Sequence, residues 1–398
     1  MVFDENTRQA ETLKNDADRA LRGGDPRLAR AHFQRATALA PDRIDLWMGL
    51  AACNRAVGDH SASLAAIDNA LARQPRFFPA HLMKGALLEA LDLPSKAAAS
   101  YGIALQLAPP SASLAEPTRR ALGHAEDVHR THVDRLAAML KAEIGFGSAG
   151  ARTALDRRAD IFIESMVGRR RIYHQEPVKL NFPGLPAIEF YERDEFDFLE
   201  ALEAQTSVIR EEVLAVWTDG SEGLTPYVDY PPGAPLDQWA ELNHSMAWSA
   251  YHLWFYGEPV DANCAKCPRT MAALELIDMP SVPARSPAAM YSILRPHTRI
   301  PPHTGVANTR LVLHLPLIVP YGCGFRVGGE SRPWREGEAW VFDDTIEHEA
   351  WNDSDKPRAI LIADVWSPRL SGEERELIVT LCAALDRFQG GTDVGDGL

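Results

Sequence analysis

The chain has 398 residues, of which 46% are hydrophobic and 24% are charged. Its 41 basic and 55 acidic residues leave a net charge of −14, which argues against general binding to nucleic acid or to anionic membranes. No apolar run reaches the roughly 18–20 residues of a membrane span, and the polar, acidic start is unlike a secretory signal. We therefore expect a cytoplasmic protein with two or three domains of about 150 residues each.

The N-terminal third contains a repeat with a period of 34 residues. The recurring residues are the turn pairs Gly24-Asp25, Gly58-Asp59 and, weakly, Leu91-Asp92; the large residues Phe33, Ile67 and Tyr101; the small residues Ala36, Ala70 and Ala104; and the prolines Pro41, Pro75 and Pro109. Such turns join antiparallel helices, the alanines permit close helix packing, and each proline is expected to open the next helix at its first turn. The segment resembles tetratricopeptide repeats, which have this period.

The repeats predict the organisation of the first half of the chain. We expect helical repeats over 7–145, with Ala115–Ile144 as a capping helix, and a linker over 146–180. A stack of this kind presents a concave face that usually binds a peptide or protein; scaffolding of the second domain, or dimerisation, is the alternative. The arginine-rich run Gly168–Lys179 is interpreted as a solvated connector rather than as a polyanion site.

The second half is typical of β structure. Short apolar runs separated by Gly and Pro turns fill the stretch between Tyr291 and Trp366, which predicts a double-stranded β-helix, a jelly-roll or cupin-like fold with flanking helices. We place this domain at 181–389. Ser371–Gln389 has the start of a capped helix, and 390–398 is expected to be a loose tail.

One arginine in this domain points to an anionic ligand. Arg358 opens the apolar strand RAILIADVW, where it shares a face with Ile360 and Ile362. A buried unpaired charge is costly, so an interior arginine requires an anion, which a dicarboxylate co-substrate would supply. A salt bridge within the protein, to Asp343, Asp344 or Asp364, is the alternative.

Two histidines complete a recognisable pattern with Arg358. His303 lies in a turn-rich stretch and His348 lies 45 residues later, at the edge of a strand. Two His and a downstream Arg in such a fold suggest a non-haem Fe(II), 2-oxoglutarate-dependent oxygenase. The usual iron site has a carboxylate two residues after the first His, where this chain has Gly305.

The pattern around Gly305 resembles one family. RIPPHTGVANTR, EGEAWVFDDTIEHEAWN and RAILIADVWSP are similar to the aspartyl/asparaginyl β-hydroxylases, in which the HTG motif supplies a His and no carboxylate. The resemblance covers roughly 180–375. It implies that His303 and His348 bind Fe(II), and that Arg358, Ser292 and His314 bind 2-oxoglutarate.

The resemblance also bears on the substrate. It implies that Arg310 contacts a substrate carboxylate, whereas Val312 stands where the animal enzymes have a second arginine. Beside His348, we expect the carboxylates of Asp343, Asp344 and Glu347 to orient its imidazole; a solvated acidic turn is the alternative.

These features together favour an oxygenase that hydroxylates the β-carbon of Asp or Asn in a peptide or protein delivered by the repeats. Three alternatives remain open: the same chemistry on a small molecule or lipid acyl chain, halogenation, and a non-enzymatic interaction protein. Cys264 and Cys267 form a CxxC without a second pair, which favours a structural turn with reduced thiols over a zinc site or a redox switch.

Overall fold

The computed structural model describes residues 5–145, 154–218 and 223–389, so the predicted tail at 390–398 lies outside the described residues. It divides into two compact units, Met1–Val167 and Gly168–Leu398. The boundary between the two units, at Val167 and Gly168, therefore lies inside the range 146–180 that the sequence analysis predicted as a linker. None of the helices in the described parts is both long and apolar enough to cross a bilayer.

The first unit consists of helices packed in consecutive pairs. The helices are α1 Glu5–Arg22, α2 Pro26–Leu39, α3 Ile44–Ala56, α4 His60–Arg73, α5 Phe78–Ala90, α6 Pro94–Leu107, α7 Glu116–Glu143 and α8 Ala154–Met166. Phe33, Ile67 and Tyr101, which the repeat places in one register, are all buried between these helices. The predicted helical repeats and the capping helix, α7, are confirmed.

The turns within the helix pairs explain the Gly-Asp pairs of the first two repeats and correct the position assigned to the third. Gly24 and Gly58 have φ angles of 79° and 83°, which favour glycine, and the carboxylates of Asp25 and Asp59 cap α2 and α4. In the third repeat Asp92 has a φ angle of 56° and takes the glycine position. The pair is therefore Asp92 followed by an uncapped Leu93, not Leu91-Asp92.

The repeated prolines do not open helices, so that prediction was wrong. Pro41 and Pro75 lie in the turns before α3 and α5, which begin three residues later in each case. Their carbonyl oxygens accept hydrogen bonds from Trp47 Nε1 at 2.7 Å and from His81 Nε2 at 2.8 Å. A carbonyl used in this way ties the turn to the following helix.

The predicted linker over 146–180 was also wrong. Its first part contains α8, whose Asp160 and Glu164 bind Lys141 of α7. Its second part belongs to the second unit, where Arg170 pairs with Glu189 and Arg171 lies over the ring of Tyr173. Within the arginine run, Arg170 is packed against the second unit, whereas Arg169 and Arg171 are exposed, so the run is solvated only in part.

The second unit contains two antiparallel sheets. The strands are β1 Leu224–Pro226, β2 Trp248–Phe255, β3 Glu258–Pro259, β4 Ala289–Leu294, β5 Thr298–His303, β6 Arg310–Ile318, β7 Cys323–Val327, β8 Glu330–Arg332, β9 Trp340–Phe342, β10 His348–Asn352 and β11 Arg358–Trp366. The larger sheet has the order β1-β2-β4-β11-β6-β9, with β3 paired to β2, and the smaller has the order β5-β10-β7-β8. This confirms the predicted two-sheet β architecture, while the double-stranded β-helix winding remains a prediction.

The second unit also contains helices, several of which cover the outer face of the larger sheet. They are α9 Leu199–Glu203, α10 Thr206–Thr218, α11 Asp261–Lys266, α12 Pro268–Leu274 and α13 Gly372–Gln389. Side chains of α9, α10 and α12 share one buried cluster with Tyr291 and Leu361 of the sheet. The alternate residues Leu294 and Ile360 belong to a second, aromatic-rich cluster with the smaller sheet. Because strand side chains alternate, Ser292 and Arg358 also face the space between the sheets.

The last helix agrees with the sequence. Ser371 caps α13, since its hydroxyl accepts a hydrogen bond from Glu374 N at 3.3 Å and the Glu374 carboxylate accepts one from Ser371 N at 2.8 Å. Ile378 and Cys382 form its buried face. The predicted closing helix is confirmed.

Candidate active site

His303 and His348 meet across the smaller sheet. His303 is the last residue of β5 and His348 the first of β10, and the antiparallel register makes them direct partners. Their ring centroids are 4.0 Å apart. Strand pairing thus joins two side chains that are 45 residues apart in the sequence.

Both imidazoles are held through the same ring nitrogen. Nδ1 of His303 lies 2.8 Å from the carbonyl oxygen of Pro301, and Nδ1 of His348 lies 3.0 Å from that of Ile346. A proton on Nδ1 leaves the Nε2 lone pair for a metal ion, which is the usual arrangement of a ligating histidine. Burial lowers the pKa of His303 to about 3 and that of His348 to about 4, so both rings are neutral near pH 7.

The acidic residues near His348 do not orient it, contrary to the prediction. The carboxylates have other partners: Asp343 accepts from Thr345 and Gln175, Asp344 from Arg310, and Glu347 from Arg326. The tight turn before β10 places a backbone carbonyl at the imidazole instead. The alternative of a solvated acidic turn is wrong as well, because Asp343 and Asp344 are buried.

Arg358 is a buried cation without a protein counter-ion. Its side chain is 1% exposed, and its Nη1 donates to the carbonyl and hydroxyl oxygens of Ser292 at 3.1 and 3.3 Å. Its Nε has no hydrogen-bond partner, and its guanidinium lies 4.7 Å from the ring centroid of Trp334. Within the described residues no carboxylate pairs with it, so the alternative of an internal salt bridge was wrong. Burial lowers its pKa to about 10.

Ser292 contacts Arg358 and Trp248, and His314 lies within the electrostatic influence of Arg358, while the co-substrate contacts of Ser292 and His314 remain a prediction. Trp248 Nε1 donates to the Ser292 hydroxyl at 3.2 Å. His314 is buried, its Nδ1 has no partner, and burial together with the charge of Arg358 lowers its pKa. Trp248 was not singled out from the sequence.

Arg310, by contrast, has its charge compensated. Its guanidinium binds Asp344 at 2.9 Å and Asp364 at 3.2 Å, and all three side chains are largely buried. Val312, two residues further on, is part of the aromatic-rich cluster and supplies no charge. The contact of Arg310 with a substrate carboxylate remains a prediction, and the structure shows this cation already engaged by two anions.

Aromatic side chains form a wall beside the histidine pair. The ring centroid of Trp239 is 5.0 Å from that of His303, and the centroid of Trp248 is 6.3 Å away. Tyr227 stacks on Trp248 at 3.8 Å. These residues belong to a segment, 227–248, from which the sequence analysis selected no site residue.

Among the described residues, the candidate metal site offers two side chains, those of His303 and His348. In the described ranges, no group of three or more His, Cys, Asp or Glu side chains is arranged to hold a metal ion. A side chain at Gly305 would overlap with the Asp344 carboxylate, which explains why glycine stands there. Two neutral imidazole nitrogens suit Fe(II), and the buried Arg358 suits a bidentate carboxylate, so these residues fit iron with 2-oxoglutarate.

The CxxC is remote from this chemistry. Cys264 and Cys267 are both free thiols, Cys267 is buried, and Cys264 Sγ lies 3.2 Å from the carbonyl oxygen of Leu253. Burial raises the pKa of both thiols, so neither is activated. This agrees with the structural turn favoured by the sequence.

Comparison with known proteins identifies the family. The family model described as Aspartyl/Asparaginyl beta-hydroxylase matches residues 203–368. The ornithine lipid ester-linked acyl 2-hydroxylase of Rhizobium tropici is 32% identical over 228 residues, which are 56% of this chain and 75% of that protein. The chain belongs to the aspartyl/asparaginyl β-hydroxylase family. The relatives are named as hydroxylases, and the family resemblance of the sequence is confirmed.

Other relatives match over a smaller part of their length. The aspartyl/asparaginyl beta-hydroxylase of Homo sapiens is 36% identical over 199 residues, 49% of this chain and 25% of the human protein. The Mus musculus protein is 37% identical over 180 residues, 45% of this chain and 23% of that protein. The chain thus spans about a quarter of the length of these two relatives.

Among solved structures, the Arabidopsis OM64 TPR domain is 22% identical, with a TM-score of 0.28. The match covers 32% of this chain and 98% of that domain. The first unit shows its helical repeats directly, in helix pairs that recur with a 34-residue period.

Proposed function

We propose that the protein is an Fe(II)- and 2-oxoglutarate-dependent dioxygenase that hydroxylates an unactivated carbon atom. Two features support this most strongly: two neighbouring imidazoles whose Nδ1 atoms face backbone carbonyls, and a buried arginine that pairs with no carboxylate among the described residues. A metal site alone would not require the arginine. A dicarboxylate bound at one end by Arg358 and at the other by the metal accounts for both.

Each group has a defined task in this proposal. His303 and His348 hold Fe(II), and Arg358, with the Ser292 hydroxyl and His314, holds the distal carboxylate of 2-oxoglutarate. Iron, 2-oxoglutarate and O2 supply the oxidising power, so that R–H is converted to R–OH while 2-oxoglutarate becomes succinate and CO2. The aromatic wall of Trp239, Trp248 and Tyr227 excludes water and places the substrate carbon beside the metal.

The first candidate substrate is an Asp or Asn residue in a peptide or protein, hydroxylated at its β-carbon. The names of the mammalian relatives support this reaction, and the helical repeats of the first unit would bind the peptide.

A second candidate, a neutral aliphatic chain, is favoured by one observation. Arg310 is already neutralised by Asp344 and Asp364, and Val312 adds no cation, so a substrate carboxylate would meet a locally negative site. The aromatic wall would instead accept a methylene chain through apolar burial. The name of the Rhizobium tropici relative, an acyl 2-hydroxylase, is consistent with that chemistry.

The first test needs no substrate. Under anaerobic conditions Fe(II) and 2-oxoglutarate should give the weak visible charge-transfer band of the bound pair, and admission of O2 should give slow succinate formation. His303→Ala and His348→Ala should abolish both, whereas His297→Ala, which alters an exposed His paired with Asp355, should leave both intact. Either site variant that keeps more than about a tenth of the succinate rate, about 1.4 kcal/mol in barrier terms, would remove that residue from the metal site.

The second test distinguishes the two substrates. Peptides that differ only in a central Asp, Asn or Ala are compared with a neutral N-acyl amino acid amide, with a mass gain of one oxygen as the readout. An increase in mass confined to the Asp and Asn peptides supports the first candidate. Oxygen incorporation into the acyl chain alone supports the second.

A further inference from the structure

A segment that precedes the family-model match runs along both histidine-bearing loops. Glu176 N donates to Thr345 O at 2.7 Å, Val178 N to Gly305 O at 3.0 Å, and Leu180 N to Val306 O at 2.9 Å. The first of these bonds reaches the loop before His348, and the other two reach the loop after His303. Residues 175–182, called the strap below, thus contact the two loops together.

Asn308 fixes the strap to the His303 loop. Its side chain is buried, and its Oδ1 accepts a hydrogen bond from Phe182 N at 2.7 Å. Its Nδ2 lies within hydrogen-bond distance of Asn181 Oδ1 at 2.9 Å, Phe182 O at 2.9 Å and Gln175 Oε1 at 3.2 Å. Such a set of partners leaves the amide one orientation, because its donor and acceptor ends are not interchangeable.

Gln175 extends the same network to the His348 loop. While its Oε1 accepts from Asn308, its Nε2 donates to Asp343 Oδ2, and Asp343 Oδ1 accepts from Thr345 N at 2.9 Å. Asn308 lies five residues after His303, and Asp343 lies five residues before His348. One glutamine side chain therefore joins the two loops, and its partner in each loop is five residues along the chain from the histidine.

The sheet alone holds these histidines on one side only. His303 is the last residue of β5, His348 is the first of β10, and the register between the strands is irregular directly after His348. Beyond them the β5–β10 ladder stops and the backbone continues as loops, which contact each other through Gly305 N, a donor to Asp344 O at 2.7 Å. The separation of the two rings therefore depends on what ties the loops to each other, and loop groups that bind no metal can set it.

We propose that Gln175, with Asn308 and Asp343, is a positioning residue that sets the distance and orientation of His303 and His348 for metal binding. The proposal rests on the proposed function, since it assigns a metal to this pair. Gln175 touches no reacting group; it acts through the loops. Loss of a group hydrogen-bonded directly to a metal ligand typically changes metal affinity 10–100-fold, and we expect Gln175, which acts one step further away, to lie at the lower end of that range.

The test uses Co(II) as a probe of the full-length protein, with its visible absorption as the readout. Gln175→Glu keeps the size of the side chain but replaces the donor facing Asp343 with a carboxylate oxygen. We expect Co(II) to bind about tenfold or more weakly than to the wild type, at a temperature where circular dichroism shows both proteins folded. Gln205→Glu, at an exposed glutamine of the same unit, is the matched control and should bind Co(II) like the wild type.

A second substitution reverses the polarity of the contact. In Gln175→Glu combined with Asp343→Asn, the new asparagine donates to the new glutamate, and Co(II) affinity should return to within about threefold of the wild type. If Gln175→Glu does not fold, Gln175→Ala, which removes the bridge without a like-charge contact, takes its place in the comparison.

The outcomes separate the two proposals. Folded Gln175 variants that bind Co(II) within twofold of the wild type, or a double variant that stays as weak as Gln175→Glu, would overturn the positioning role while leaving the metal site in place. A wild-type protein whose Co(II) binding is unchanged by His303→Ala would overturn the proposed metal site itself, and the positioning role with it.

Discussion

Replacement of Arg358 by methionine should have opposite effects on folding and on ligand binding. Arg358 is 1% exposed, pairs with no carboxylate among the described residues, and donates only to Ser292. Methionine has a similar volume and is uncharged. Exchange of a buried ion pair for hydrophobic residues of similar volume is often neutral or stabilising by about 1–4 kcal/mol, and Arg358 has no partner carboxylate among the described residues to offset its desolvation. We therefore expect the ligand-free Arg358→Met protein to be at least as stable as the wild type, and up to that much more stable.

The same substitution should weaken the binding of 2-oxoglutarate. Truncation of one partner of a buried, hydrogen-bonded charge pair costs about 2–5 kcal/mol, which is roughly a 30- to 5000-fold loss of affinity for 2-oxoglutarate. Urea unfolding of the second unit, with and without Fe(II) and 2-oxoglutarate, measures both effects. A ligand at 100 times its Kd adds about 2.7 kcal/mol to the wild type, and the same concentration should add about 0.9 kcal/mol or less to the variant.

A matched arginine provides the control. Arg299 is exposed, pairs with Asp353 and lies over Trp351, so Arg299→Met should change stability by less than about 1 kcal/mol and leave the response to 2-oxoglutarate intact. If Arg358→Met lowers the stability of the ligand-free protein and still gains the wild-type increment from 2-oxoglutarate, Arg358 is a structural residue and the reasoning is refuted.

Three further changes test other parts of the structure. Gly305→Asp should cost about 1–3 kcal/mol in urea unfolding, because its side chain overlaps with the Asp344 carboxylate, and Asp344→Gly in the same chain should recover most of the loss. Leu93→Asp, which supplies the N-cap that Asp59 provides one repeat earlier, should stabilise the first unit by about 1 kcal/mol, read from its thermal transition. Burial lowers the pKa of His252 to about 4, below its unfolded value of about 6.5, so the wild type loses stability as the pH falls through this interval. His252→Phe should therefore lose about 1–2 kcal/mol less than the wild type between pH 7 and pH 5, and equal losses would contradict the assignment.

Residues in regular or repetitive contexts could be predicted from the sequence. The 34-residue period located the buried Phe33, Ile67 and Tyr101, because a helix pair imposes the same packing in every repeat. Alternation along β11 placed Arg358 on the inner face, since side chains in a strand have a period of two. Both predictions depend only on regular local geometry, that of a helix pair in the first case and of a single strand in the second.

Contacts between distant segments could not be predicted in this way. Gln175 and Asp343 are 168 residues apart, and no sequence pattern in either segment predicts that their side chains meet. Turn residues failed for a related reason: Asp92 replaces a glycine because aspartate tolerates a positive φ, so the third repeat lost its visible signature while keeping its backbone. The acids near His348 were misassigned because proximity in sequence does not show which of several donors each carboxylate will face.

Charge compensation indicates how a dicarboxylate would lie between the sheets. Arg310 and Arg358 both have buried side chains, but Arg310 is bound by Asp344 and Asp364, which together leave one negative charge, whereas Arg358 retains its positive charge. An incoming dianion is therefore repelled near Arg310 and attracted near Arg358, where Ser292 and His314 add polar groups. The glycine at 305 contributes to this asymmetry, because it makes room for the carboxylate of Asp344 that neutralises Arg310. The same residue that leaves the usual metal position without a carboxylate would thus favour binding of the proposed co-substrate at Arg358.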